Sequence, residues 1–302
     1  MAEMALSASG PGGPIGRQTG GRRRRVGALI RTFLNNPGAV IGLAILCALV
    51  CLAIGAPWIA PHDPYAMAVG PRLEPPSGAH WFGTDEFGRD LFSRVIYGAR
   101  LTLMVGGIAV GIALSAGMVI GLIGGYAGGW LERILMRTVD VIFSFTETLI
   151  ALALVAILGP SLINAMIAVG IATIPFYART TYGVVLVEKN KPYFEAARAA
   201  GAGHTRLIVV HMLPNVLPSL VVVATLGLSI AVLAAAGLSF LGLGAQPPLP
   251  EWGYMLSSAR DYISRAPWTM IFPGLAIVIT VFGFNLLGDG IRELLDPRQH
   301  RL

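Results

Sequence analysis

From Ala39 to Ile59 the chain reads AVIGLAILCALVCLAIGAPWI, a run without a single charged residue. At 1.5 Å of rise per residue, about 20 apolar residues cross a hydrocarbon core of about 30 Å, so this run predicts a transmembrane helix. It is longer, and starts farther from Met1, than a usual signal sequence, which predicts a retained helix. Composition points the same way. The 302 residues are 55% hydrophobic and 13% charged, against ~25% charged for a soluble domain. Length alone would suggest about two soluble domains, but this composition cannot supply their polar surfaces. The expectation is an all-α polytopic membrane protein with short appendages.

Upstream of that run, Arg22 to Arg25 form a basic block. Its position against the first apolar segment reads as a topology signal and a contact for anionic headgroups, not as a nucleic-acid patch, although the net charge is +6. Met1 to Gly21 are rich in Gly, Ser, Ala and Pro without apolar period, which predicts disorder. Downstream, further spans are expected near Leu101 to Ile123, Ile134 to Leu158, Leu162 to Val187, Val216 to Leu243 and Ile271 to Leu287, making six. Gly124-Gly125, Gly159-Pro160-Ser161, the polar stretch Glu188 to His211 and Gln246-Pro247-Pro248 punctuate them. Pro175 and Pro273 fall within or at the edge of spans, where neighbouring helices satisfy freed carbonyls.

With the arginine block inside, six spans return the carboxyl end inside as well. The inner segments then hold Arg17, Arg22 to Arg25, Arg31, Arg133, Arg137, Lys189, Lys191, Arg198, Arg206, Arg292, Arg298 and Arg301. The outer ones hold Arg72, Arg89, Arg94, Arg100, Arg260 and Arg265, together with seven acids, an asymmetry of the expected sign. The basic stretch Arg89 to Arg100 fits this orientation worst. The chain thus divides into a disordered basic cytoplasmic tail (1–35), a first helix with an external segment (36–98), a five-helix core (99–292) carrying a cytoplasmic loop (188–214), and a cytoplasmic carboxyl-terminal tail (293–302).

Gly117, Gly121, Gly124 and Gly125 sit within one apolar run, and small residues at that spacing let membrane helices approach closely. Cys47 and Cys51, four apart on one helix face, offer packing and neither a disulfide framework nor a metal set. Trp58, Trp81, Trp130, Trp252 and Trp268 mostly flank spans and read as an aromatic belt.

The loop between the fourth and fifth spans carries the functional signal. Pro192 suits a first helical turn, Gly201-Ala202-Gly203 stops that helix, and a second short helix is expected from an N-cap at Thr205 to Leu213, where Pro214 halts it. Its surface is mostly alanine and glycine, so a partner groove accepts it at little steric cost, with Glu195 and Arg198 left for directional contacts. A helix lying on lipid headgroups is the alternative.

The spacing Glu195-Ala196-Ala197, three residues, Gly201, then Leu213-Pro214 resembles the EAA loop of permeases of ATP-binding-cassette importers. His211-Met212-Leu213-Pro214-Asn215 departs from the general pattern and is similar to the peptide-importer version. Phe82-Gly83-Thr84-Asp85-Glu86-Phe87-Gly88-Arg89-Asp90-Leu91 with Ser93-Arg94 and Tyr97 to Arg100 resembles the external segment of the C-type permeases of dipeptide, oligopeptide and nickel importers. Pro273-Gly274, Phe284 to Gly290 and Leu295 to Arg298 look like that branch's last helix and tail.

The resemblance runs from about Arg31 to Arg298. It implies the type I importer permease fold, with Glu195, Ala196, Ala197, Arg198 and Gly201 coupling to a cytoplasmic ATPase. It also implies a second permease, two ATPases that bind ATP and Mg, an extracytoplasmic peptide-binding protein, and residence in a prokaryotic inner membrane. Peptide length is not legible in this chain, and nickel permeases share the same signatures.

Where the family carries Phe-Pro in the third span, this chain has Phe145-Thr146, followed by Glu147, which questions the kink. Asp140 and Glu147 lie two turns apart on one expected face, and a charge within a span costs ~2.5–3.5 kcal/mol unless paired or wet. Glu147 reads as a pathway residue sensing a peptide amino terminus, or as a carboxylate buried against a companion subunit while Asp140 pairs with Arg137. Arg179 either snorkels to the interface or gates. Asn285 is a second candidate pathway residue, and with Asp289 it equally suits helix–helix adhesion.

The sequence has no Walker loop, and its two lysines offer no phosphate-gripping candidate. No His-Glu-x-x-His helix or Gly-x-Ser-x-Gly elbow occurs, and His204 and His211 alone make no metal set. No cofactor or catalytic residue is therefore expected in this chain. The rival from another class, a secondary transporter using Asp140 and Glu147 as a proton relay, predicts an inverted repeat, and the sequence holds no matching pair of interrupted segments.

Overall fold

The computed structural model describes residues 33–295; of the tails predicted at 1–35 and 293–302, all but residues 33–35 and 293–295 lie outside the described residues. Nine α-helical elements form the body of the described residues, with a short 3-10 turn at Arg260–Tyr262. They are α1 (Pro37–Ile59), α2 (Leu91–Ala127), α3 (Gly129–Phe143), α4 (Glu147–Leu158), α5 (Leu162–Lys189), α6 (Pro192–Ala199), α7 (His204–Phe240), α8 (Trp252–Ala259) and α9 (Trp268–Leu295). Among the described residues the sole β pairing is an isolated bridge between Thr84 and Asp90. Five helices are each long and apolar enough to span a membrane, and α3 with α4 makes a sixth span bent by 86°.

Several boundaries differ from expectation. Phe33 to Asn35 are already helical, the division at 98 falls inside α2, and α9 continues to Leu295. The predicted span Ile134 to Leu158 is broken between Phe143 and Glu147, at the Phe145-Thr146 pair where the sequence questions the kink. No proline does this. The Ser144 hydroxyl donates to Val141 O at 2.7 Å, and Thr146 adopts an extended backbone before α4 restarts on its carbonyl, a local competition that breaks a helix from within. Asp140 and Glu147 consequently do not share a helix face.

The second loop helix does not stop at Pro214 either. Residues Leu207–Met212 form a π-helical turn that leads straight into Leu213. The wider turn changes which carbonyl lies under Pro214, so the ring enters the first turn of a continuing helix without the usual clash.

At about 1.5 Å per residue, α2 and α7, each 37 residues, run roughly 55 Å and extend past the hydrocarbon. They pack with α4 and α5 around a core that includes Val105, Ala109, Ala151, Val155, Met166, Val169 and Leu238; α2 and α5 run side by side in the same direction, Gly117 against Tyr177 and Gly125 against Val185. A second core joins α1, α2, α7, α8 and α9 through Leu46, Leu49, Leu91, Val232, Trp252 and Phe284. Large apolar side chains such as Ile54, Ile157 and Val278 remain exposed on the bundle's sides, as a lipid-facing surface requires. Cys47 and Cys51 are exposed there too.

The two ends of the bundle differ. One carries the segment 60–90 and α8. There Trp252, predicted for the belt, is buried with its indole N–H donating to Val95 O at 2.9 Å, because α8 folds back between α2, α7 and α9. The other end carries α6, the start of α7 and the end of α9.

The poorly fitting basic stretch is explained at the first end. Arg89 is 2% exposed and donates through Nε to Asp85 Oδ2 at 2.6 Å. Arg94 is 1% exposed, lies 3.4 Å from the same carboxylate and donates to Pro64 O at 2.9 Å. Both charges are internal to the segment and pinned to it, so they do not weigh in topology as free loop arginines would. Burial, and then the neighbouring Asp85, raise the Glu86 carboxyl above its ordinary value, while Arg89 at 3.5 Å opposes the rise.

Candidate functional site

Helix α6 is eight residues long, too short to be stable alone. One side chain seats it: Phe194, 2% exposed, packs among Leu122, Val185, Leu207, Met212 and Val216. Pro192 occupies the first turn, where its missing N–H costs nothing. Gly201, at φ +82°, closes the other end; its N–H donates to Arg198 O at 3.0 Å and the Ala202 N–H to Ala197 O at 3.1 Å. That double bond pattern requires a left-handed residue, which glycine supplies without a Cβ penalty.

Polar anchors complete the seat. Glu188, buried, accepts from Tyr193 Oη at 2.6 Å and from Lys191 Nζ. Desolvation, then the bond to Glu188, push the Tyr193 phenol up to about 12, so it remains a donor at working pH. Lys189 Nζ donates to Tyr126 O at 2.9 Å, tying the end of α5 to the end of α2. Glu195, Ala196 and Arg198 are left exposed on the outer face of α6, with Ala197 half-buried. Among the described residues neither Glu195 nor Arg198 has an ion-pair partner.

Glu147 opens α4 at the 86° break and lines a cavity of about 360 Å³ between α4, α5 and α7. The remaining walls include Thr148, Ala151, Thr173, Leu233 and Leu238, and are largely apolar. Among the described residues its carboxylate has neither an ion pair nor a hydrogen bond. Asp140 pairs with Arg179, not with Arg137, since α5 crosses beside α3 and brings the guanidinium within reach; both groups are half-exposed. Asn285 is not among the residues lining the Glu147 cavity; it accepts from Ser229 Oγ at 2.9 Å across α7 and α9.

The bundle thus carries an outward-facing loop helix at one end and a kinked span bordering a cavity. Residues 117–301 match the family described as binding-protein-dependent transport system inner membrane component. The chain belongs to that family. Residues 27–76 of this permease also match the N-terminal TM domain of oligopeptide transport permease C.

The dipeptide transport system permease protein of Escherichia coli K12 is 51% identical over 272 residues, covering 88% of this permease and 91% of that one. The dipeptide transport system permease protein of Alkalihalophilus pseudofirmus is 47% identical, covering 87% of each chain. A glutathione transport system permease protein of Shigella flexneri is 48% identical over 89% of each.

Among solved structures, a chain of the MetNI methionine ABC transporter in inward-facing conformations aligns with a TM-score of 0.57 at 22% identity. The match covers 67% of this permease and 97% of that chain. The fold is therefore that of a type I ABC importer permease.

Sequence reasoning overlooked two features of the permease. Phe194 gave no signal, because one aromatic in an eight-residue helix has no period to betray a buried face. Arg89 is held by Asp85, four residues before it, but the pinning of Arg94 also depends on the Pro64 and Pro248 carbonyls, which arrive from distant positions.

Proposed function

We propose that this chain is one of two membrane subunits of an ATP-driven peptide importer, with both termini cytoplasmic. Two separate ATPases bind ATP and Mg, and an extracytoplasmic binding protein delivers the peptide. The observation that carries this reading is α6, presented outward by Phe194 with Glu195, Ala196 and Arg198 free for a partner groove. Movement of a nucleotide-driven partner against Glu195–Gly201 is passed through Phe194 into α2, α5 and α7, which swing between inward and outward openings. Dipeptide permeases at about half identity support peptide as the cargo.

The test is co-expression with the neighbouring transport genes, purification and reconstitution into vesicles. Labelled dipeptide should accumulate with ATP, and two ATPases and a second permease should remain attached. Accumulation of nickel ion instead of dipeptide, or accumulation with hydrolysis-dead ATPases, would overturn the reading.

The Glu147 cavity supplies the cargo contact in this proposal. An unpaired carboxylate within a span suits the ammonium of a peptide amino terminus, and a charge-assisted bond of that kind is worth about 1.5–3 kcal/mol. In the reconstituted system Glu147→Gln should raise the apparent KM for dipeptides at least about tenfold, the equivalent of ~1.4 kcal/mol. N-formylated dipeptides should be unaffected. Unchanged uptake and specificity would remove Glu147 from the pathway.

A further inference from the structure

Three residues from separate parts of the 60–90 segment meet at the start of α2. Asp90, fully buried, is the N-cap of that helix; its Oδ2 accepts from the Ser93 N–H at 2.8 Å and from Ser93 Oγ at 2.6 Å. Its other oxygen faces His80 Nδ1 at 3.0 Å. His62 brings its own Nδ1 to 3.8 Å from Asp90 Oδ2. The two imidazole rings lie 5.0 Å apart between centroids.

The plain reading is that His80 and Asp90 clasp a loop to a helix N-terminus. It leaves one group unexplained. His62 Nδ1 is buried and has no hydrogen-bond partner, although the side chain as a whole is 30% exposed. A buried polar atom left unpaired costs about 1–3 kcal/mol, and here it points toward a carboxylate that a second imidazole already touches. His80 is held in place: its Nε2 edge abuts Gly70, where an added Cβ would lie only 2.6 Å away, so its Nδ1 edge stays turned to Asp90.

We propose that His62, His80 and Asp90 form a binding site for a first-row divalent transition-metal cation of the zinc type. Two imidazole nitrogens, borderline donors, beside a single carboxylate select such ions over Mg²⁺ or Ca²⁺, which take oxygen cages. One ligand atom from each residue lies within 4.8 Å of the others. At Zn–N of about 2.0–2.1 Å, tetrahedral ligands stand roughly 3.4 Å apart. His80 Nδ1 stands 3.0 Å from Asp90 Oδ1 and His62 Nδ1 3.8 Å from the other oxygen, Oδ2, so each imidazole already lies near that spacing from the carboxylate, and a small movement of the partly exposed His62 ring brings the three donors around one ion.

The ion takes the place of the proton shared by His80 and Asp90, and the exposed side of His62 is both its entry and the position for a water as fourth ligand. Neighbouring arginines do not compete, since Arg89 and Arg94 are held by Asp85 and, for Arg94, by the Pro64 and Pro248 carbonyls. The ion is a clasp. It joins the end of α1, the 71–83 loop and the start of α2, and so fixes the outer segment to the bundle.

The experiment uses the full-length chain purified from membranes with its attached subunits, stripped with chelator, then exposed to Zn²⁺ and gel-filtered. Wild type should retain one more zinc per complex than His62→Ala, excess Mg²⁺ should not displace it, and zinc should raise the unfolding temperature of wild type and not of His62→Ala. His62→Cys, which restores a zinc ligand, should recover retention; this variant carries the test if His62→Ala does not assemble. Equal zinc in wild type and His62→Ala, or no recovery in His62→Cys, would overturn the site. Zinc retention is independent of what the importer carries, so this result and the cargo assignment fail separately.

Discussion

Replacing Gly121 by alanine should lower the amount of assembled permease several-fold, while the same replacement at Gly111 leaves it unchanged. Both glycines lie on α2. An added Cβ at Gly121 would stand 2.5 Å from Ala178 O and from Thr181 Cβ, and 2.8 Å from Tyr182 N, atoms of α5 that cannot step aside. At Gly111 nothing lies within 4 Å. The pair separates contact from propensity, because alanine is the better helix former at both positions by roughly 1 kcal/mol.

Gly117 and Gly125 make the same kind of approach to Tyr177, Ala178 and Val185, so a ridge of three glycines four apart lies along α5. Lipid offers no hydrophobic drive to hold two helices together, so close backbone approach is what joins them. Forcing them apart costs about 1–3 kcal/mol, and a loss of 1–2 kcal/mol changes cellular abundance several-fold. Quantifying membrane-extracted, gel-filtered protein for the two variants measures this directly. Equal yields would mean that the glycine ridge does not decide the fit.

That ridge was legible in the sequence, as was the membrane class, because both depend on local composition: runs of apolar length, and small residues at a helical period. The six spans follow for the same reason. The 86° break at Ser144–Thr146 was not legible, since no Pro or Gly marks it. A serine hydroxyl taking a carbonyl from its own helix and a threonine left extended do the work, and similar residues sit harmlessly in many helices. Pro214 misled in the opposite direction. A proline reads as a stop unless the preceding turn is known to be widened, and nothing in Leu207 to Met212 announces that widening.

Charges misled for a third reason. The sign rule counts arginines facing lipid headgroups, whereas Arg89 and Arg94 are buried with partners as much as 154 positions away in the chain. Asp140 found Arg179 rather than Arg137 because a helix crossing, not sequence spacing, set its neighbour. At the candidate site the division is the same. The outward residues Glu195, Ala196 and Arg198 were readable from their pattern, while the residue that holds them in position, and the gathering of His62, His80 and Asp90, exist only after the loops have folded.

Phe194→Ala should abolish ATP-driven uptake while leaving the bundle in the membrane. Truncating a buried phenylalanine costs about 3–5 kcal/mol, and α6 has no other fully buried side chain to resist it. The larger core between α2, α4, α5 and α7 does not include that ring: it closes over Val105, Val155, Met166, Val169 and Leu238. Loss therefore concentrates in an eight-residue helix that cannot persist alone, and Glu195, Ala196 and Arg198 lose their common orientation.

Phe194→Leu, which keeps most of the apolar volume, should retain a measurable share of uptake. Glu195→Gln, which leaves the seat intact, should keep α6 in place and test only the directional contact. The decisive measurement pairs uptake with the ATPase retained after gel filtration. Phe194→Ala should lose both, and yield of the membrane subunit itself should stay close to wild type. Full uptake in Phe194→Ala would show that force enters the bundle somewhere other than α6, because a rigid lever cannot act through a seat that has been removed.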